Sequence, residues 1–328
     1  MVATRRACAA GVIAISPART LALALHAGQE PATSRKPAKT VLTKGDGRLK
    51  PSKAKSTLSL PAPNPKNKPR SNGVKPVPLT LAPPSGWRAI WDLIVELRAD
   101  RTAVVDRMGS EAISSSAPAQ SRAYETLISL MLSSQTKDTV NLATMLKLRE
   151  HGLTVDNILA TPDEQLNELI HAVGFHNNKV RFIKQSTAIL REQHGGRVPD
   201  TMEGLLALPG VGPKMAIIVL RVVYGKVVGI SVDTHVHRIS NQLGWTGPVA
   251  TKLPEQTRGA IEAWMPSDIW ADVNLVLVGL GQEIQTEKPK LLRKCLECSD
   301  PDAALALVAR LGLDVPRERA KLAKGNAV

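Results

Sequence analysis

A lysine placed directly after a glycine hairpin is the most chemically suggestive feature of this sequence. It is Lys214, in the segment LPGVGPKMA from Leu208 to Ala216. Gly210 and Gly212 permit positive φ and put no side chain in the way, so successive backbone N–H groups, those around Val211 included, can face outward at the mouth of the following helix. Pro213 suits a first helical turn, and the positive end of that helix favours an anion such as a phosphate oxygen. An ordinary tight turn between two helices would use the same residues. Lys214 opens a run of Met215, Ala216, Ile217, Ile218, Val219 and Leu220. An amine lying against that apolar packing and near a positive helix end is expected to favour its uncharged form. An uncharged amine can attack a sugar C1′ and form an imine, whereas a charged one would simply contact phosphate.

The matching carboxylate is Asp233, in SVDTHVHR from Ser231 to Arg238. Asp is a strong helix N-cap, so a structural role alone would account for it. Chemically, it is placed to take a proton from the Lys214 amine and to stabilise positive charge on a sugar ring as a base departs. A helix from Lys214 to Tyr224 runs about 16 Å, and the loop Gly225 to Val232 is long enough to return to the hairpin.

The elements that must position this pair are helices. Ile90, Leu93, Ile94 and Leu97 recur at three and four residues, as do Tyr124, Leu127, Leu130 and Met131. Asp163 to His171, Val180 to Glu192, Met202 to Leu208, Lys214 to Tyr224, His235 to Leu243, Pro254 to Trp264 and Asp268 to Leu280 read the same way. Strand-like alternation is nearly absent, Gly, Pro and Asn punctuate at short intervals, and no repeat period is visible. An all-α fold follows.

The charge is distributed unevenly. Of a net +14 over 328 residues, +13 lies in residues 1–86, which hold 15 Lys/Arg against Glu30 and Asp46. That stretch has 12 of the 23 prolines and no aromatic residue, so it is read as a disordered basic tail. Its first 29 residues carry Arg5, Arg6 and Arg19 with no acid, the composition of a mitochondrial presequence. The twelve basic residues from Arg35 to Lys75, in stretches such as KPSKAK and PKNKPR, suit a nuclear address or a loose phosphate-binding arm. Nucleus and mitochondrion are the expected locations. No apolar run is long enough to span a membrane, and three cysteines cannot build a disulfide framework.

From about Trp87 to Gln282 the sequence resembles the endonuclease III family of DNA glycosylase/AP lyases, in the helix-hairpin-helix superfamily. The resemblance is carried by ISLMLSSQTKD (Ile128 to Asp138), VGFHNNKV (Val173 to Val180), LPGVGPKMA, GISVDTHVHRISNQLGW (Gly229 to Trp245) and LVGLGQ (Leu277 to Gln282). It implies two helical lobes with DNA held in the cleft between them: residues 87–118 and 227–328 form one, and residues 119–226, with six helices including the hairpin, form the other. It implies Lys214 as Schiff-base nucleophile and Asp233 as its partner. Gln135 matches the residue that fills the helix where a base has been flipped out. Phe175 stands at the apolar wedge, and His235 lies beside the carboxylate. Leu208, Gly210, Val211 and Gly212 form the DNA-binding hairpin. The partner implied is double-stranded DNA with damaged pyrimidines or abasic sites, handled by a monomer without membrane attachment. A monofunctional glycosylase of the same fold, against which Lys214 argues, and a non-catalytic DNA-binding module, which would leave DNA unaltered, are the alternatives.

One family feature is broken. Most members place four cysteines after the GQ segment, spaced by six, two and five residues, around a four-iron four-sulfur cluster. The first position falls here on Gln285 counting forward, or on Lys288 counting back from Cys295. Only Cys295 and Cys298 remain, and no cysteine follows. Neither a cluster nor a zinc ion is expected, the last histidine being His237. The apolar spacing of Pro301 to Leu313 is expected to form a helix that packs in place of the lost loop.

Overall fold

The three-and-four spacing becomes helix over most of the chain: in the computed structural model, which describes residues 82–325, sixteen α-helices follow one another, and no strand occurs among the described residues. The expected disorder and targeting signals of the tail fall, up to residue 81, outside the described residues. The helices serve two separate hydrophobic cores. The first core begins with α1 (Trp87–Leu97) and α2 (Val104–Met108). The chain then builds the second core from α3 (Ser110–Ser115), α4 (Arg122–Ser133), α5 (Asp138–His151), α6 (Val155–Ala160), α7 (Asp163–Ile170), α8 (His176–His194), α9 (Met202–Leu206) and α10 (Pro213–Tyr224). It returns to the first core with α11 (Thr234–Gln242), α12 (Pro254–Glu262), α13 (Trp270–Thr286), α14 (Lys288–Glu297), α15 (Pro301–Arg310) and α16 (Val315–Gly325). Ile113 of α3 already belongs to the second core, so the chain enters it a few residues before position 119, and residues 119–226 hold seven helices, α4 to α10, rather than the six expected.

The scarce aromatic residues are concentrated where the two ends of the first core meet. Trp264 meets Trp87 and Trp245 edge-on, with ring centroids 5.2 and 6.0 Å apart, and its Nε1 donates to the Trp245 carbonyl at 2.9 Å. Each such pair adds about 0.5–1.5 kcal/mol beyond the burial of its area. In the second core Leu127, Ile128 and Leu132 of α4 pack with Met145, Leu166 and Ile183.

The stretch Pro301 to Leu313 does form a helix, α15, and Ala304, Leu305, Leu307, Val308, Leu311 and Leu313 enter the first core. By contrast, α5 has no counterpart in the sequence reading. Its inner face carries Asn141 and Thr144 beside Met145 and Leu148, and the Asn141 amide donates to the Ser129 carbonyl at 3.2 Å. Polar residues in the buried stripe hide the apolar period.

The glycines of LVGLGQ mark two close approaches to α13. A side chain at Gly279 would overlap the Arg98 guanidinium, which is wholly buried and donates to Glu283 Oε1 at 2.7 Å and to Asp106. Lys294 also donates to Glu283 Oε1, at 2.8 Å. These buried charges are tolerated because each faces an opposite charge and hydrogen-bonds to it. A side chain at Gly281 would overlap the His235 imidazole, so this glycine lets α11 lie directly against α13.

Candidate active site

The reactive residues lie where the two cores meet. Gly212 N-caps α10, Pro213 opens it, and Lys214 follows in the first turn. Asp233 N-caps α11, with Oδ1 accepting from the Val236 N–H at 2.9 Å. Its other oxygen, Oδ2, lies 4.0 Å from Lys214 Nζ. Capping by Oδ1 therefore leaves Oδ2 facing the amine, so the two readings of Asp233 do not exclude each other. The loop from Gly225 does bring Asp233 back to the hairpin, as its length allowed.

Lys214 differs from expectation in one respect. Its side chain is 39% exposed, so the amine is not packed against the apolar run. The reason is its place in the first turn of α10: the helix is buried only from Ala216 to Leu220, while Lys214 precedes that stretch and reaches across to α11.

His235 is half-buried against Gly281. Burial above all pulls its imidazole below the ordinary histidine range. Asp233 and Asp138 pull upward, and Arg238 and Lys214 push downward. A neutral ring at neutral pH results. Asp138, at the start of α5, accepts from Gln282 Nε2 at 2.8 Å, and Gln282 Oε1 accepts from the Val105 N–H of α2 at 2.8 Å. Gln282 thereby ties α13 of the first core to α5 of the second. Sequence reading gave no role to Gln282 or Asp138. Their signal was their position at the ends of the two motifs LVGLGQ and ISLMLSSQTKD.

Because Asp233 caps α11 and His235 stands in its first turn against Gly281, Gly281→Ala is expected to displace the carboxylate from Lys214. The overpacking should destabilise the fold by about 1–3 kcal/mol. Thermal unfolding of the variant measures the loss, and an unchanged midpoint would mean that the contact yields without cost.

The hairpin is anchored to α8. Ser186 Oγ donates to the Pro209 carbonyl at 2.8 Å, and Gly210, at φ +82°, sits so close to the Phe182 ring that a side chain there would collide with it. Of the two hairpin glycines only Gly210 uses a positive φ. Gly212 is at −105° with open space around it, since an N-cap takes the extended conformation. Leu208 and Val211 are buried in the second core. What they can offer a nucleic acid is backbone, together with the N–H groups of the first turn of α10, which have no partner within the helix.

Gln135 and Phe175 carry a feature that sequence reading did not anticipate. Both hold left-handed backbone, with φ of +52° and +57°, and both are exposed, Phe175 to 66%. Such a conformation costs a residue other than glycine about 1–2 kcal/mol. Gln135→Gly is therefore expected to be more stable than Gln135→Ala by about 1 kcal/mol, measured by denaturant midpoints. Equal midpoints would show that the turn carries no strain.

Cys295 is fully buried in the first core, and burial above all, with Cys298 and Glu283 adding, pushes its thiol up to about 12. Cys298 Sγ donates to the Cys295 carbonyl at 3.3 Å. With Gln285 and Lys288 at the possible first positions and no later cysteine, this donor set does not fit a four-cysteine iron–sulfur cluster. Among the described residues no group of three or more His, Cys, Asp or Glu could hold a metal ion.

Residues 128–267 match the family described as HhH-GPD superfamily base excision DNA repair protein. The chain is 50% identical over 220 residues to endonuclease III-like protein 1 of Gallus gallus, covering 67% of this chain and 77% of that one. It is 39% identical over 245 residues to the endonuclease III homolog of Schizosaccharomyces pombe, covering 74% and 68%. Among solved structures, a trapped endonuclease III–DNA covalent intermediate superposes with a TM-score of 0.54 at 25% identity, over 71% of this chain and 97% of that one.

Proposed function

This chain belongs to the endonuclease III family, within the HhH-GPD superfamily of base excision DNA repair proteins, and from that premise we propose that it is a bifunctional DNA glycosylase and AP lyase acting on oxidised pyrimidines and abasic sites in duplex DNA. The observation that carries the reading is the pairing of Lys214 Nζ with Asp233 Oδ2 at 4.0 Å, beside the mouth of α10.

The chemistry runs in order. The hairpin N–H groups and the positive end of α10 hold a phosphate. A damaged pyrimidine, poorly stacked, is extruded at low cost, and Gln135 and Phe175 fill the space it leaves. Asp233 takes a proton from Lys214, whose amine then forms a bond to C1′ as the C1′–N bond to the base breaks and the base leaves with the proton that Asp233 took up. The lysine nitrogen next gives a second proton, through Asp233, to O4′ as the C1′–O4′ bond breaks, and the ring-opened iminium acidifies the C2′ hydrogen. Loss of that proton expels the 3′ phosphate by breaking the C3′–O bond, and water releases an unsaturated aldehyde and the free lysine. Asp233 also stabilises the positive charge that builds on the sugar as the base departs.

The test is borohydride reduction of the protein mixed with a duplex containing one abasic site. The reading predicts a covalent protein–DNA adduct and, when borohydride is left out, a nicked strand; a monofunctional glycosylase or a binding module would give neither. Nuclear and mitochondrial locations belong to the same proposal, supported by the composition of the basic tail.

A further inference from the structure

Between α4 and α8 lies a lysine that the chemistry above does not use. Lys179 is 5% exposed, and its ammonium donates to three oxygens: the Leu132 carbonyl at 2.6 Å, the Ser134 carbonyl at 2.6 Å and Thr136 Oγ1 at 3.1 Å. Two of these are carbonyls left without partners where α4 ends, and all three flank or precede Gln135. Lys179 itself stands in the first turn of α8, its N–H donating to the carbonyl of Phe175, the N-cap, at 3.1 Å. The two loops also touch directly. The Gly174 N–H donates to Thr136 Oγ1 at 3.2 Å, and Gly174 lies so close to the Gln135 carbonyl that a side chain there would overlap it.

We propose that Lys179 is a positioning residue, a buried side chain that locks the loops of Gln135 and Phe175 together in the geometry needed to enter duplex DNA. The claim rests on the glycosylase reading, because only there do those two side chains enter DNA. Two observations make a lock necessary. Both residues sit in left-handed backbone, which persists only where the surroundings over-determine it. Beside the loops lies a cavity of about 220 Å³, lined by Phe175, Phe182, Met131 and Gly210 among others, so apolar packing does not fix them from that side. Burial lowers the ammonium to about 8, which leaves it charged at neutral pH and able to make all three bonds.

The test exploits the fact that a single-stranded abasic site needs no extrusion and no plug. Rates of borohydride trapping are measured under single-turnover conditions on duplex and on single-stranded abasic oligonucleotides, for the full chain and for Lys179→Met. The variant is expected to slow on the duplex by about 10²-fold, the scale of a misplaced positioning group, and to stay within about threefold of the parent on the single strand. Equal slowing on both substrates would reduce Lys179 to a folding role, and no slowing on the duplex would show that the loops hold without it; either overturns the proposal. Failure of the parent chain to trap on either substrate would instead count against the glycosylase reading. Thr136→Val removes the oxygen shared by Lys179 and Gly174 from a half-buried site. If Lys179→Met does not fold, this second variant decides, with about tenfold slowing confined to the duplex expected and an unchanged duplex rate overturning the idea.

Discussion

Lys214→Ala is expected to abolish the borohydride-trapped adduct and to lower base excision by about 10³-fold or more, the usual loss when a covalent nucleophile is removed. Binding should survive. The hairpin backbone, Gly212 and the open turn of α10 remain, so affinity for an abasic duplex is expected to fall only by the share of one cation, and its dependence on salt to flatten by at most about one counterion. Electrophoretic mobility at several salt concentrations, run beside the trapping reaction, separates the two effects. Adduct formation at the parental rate by the alanine variant would mean that another amine attacks the sugar. The lysine's 39% exposure makes this a clean experiment, because no core packing is lost with the side chain.

Asp233→Asn tests the other half of the pair. Asparagine is as good an N-cap as aspartate, so the bond to the Val236 N–H is kept and α11 should start where it does now. What disappears is the charge facing Lys214. Base excision is expected to fall by about 10²-fold or more with DNA binding retained, and the thermal midpoint should stay near that of the parent. Asp233→Ala makes the instructive contrast: it loses the charge and the cap together, so a further destabilisation of about 1 kcal/mol is expected. Full activity in the asparagine variant would leave Asp233 with only its structural task. In that case the proton acceptor would have to be sought at His235 or Asp138.

These residues were legible in the sequence because their surroundings are local. A Gly-Val-Gly-Pro turn, a lysine one position on and an aspartate before a helix announce their geometry within a few residues, and caps and turns obey short-range rules. Helices with a clean apolar stripe, such as α10, were legible for the same reason. What escaped depends on distant partners. Lys179 sits in the polar run His-Asn-Asn-Lys, which reads as a solvated surface until α4 is seen to end against it. The glycines at 279 and 281 have no local reason, since each exists to admit a side chain from another helix. Gln135 and Phe175 belong to residue types that rarely adopt left-handed backbone, so their turn geometry had no signal of its own.

The path of the polypeptide between the two cores also orders its birth. The stretch from α3 to α10 is uninterrupted and can close as it leaves the ribosome, whereas Trp87 and Trp91 must wait for Trp245 and Trp264 before their own core exists. During synthesis, folding by contiguous units therefore completes the lysine's half first. The aspartate's half is joined to it only when the last third of the chain has been made, so a polypeptide released early holds Lys214 without Asp233 folded opposite it.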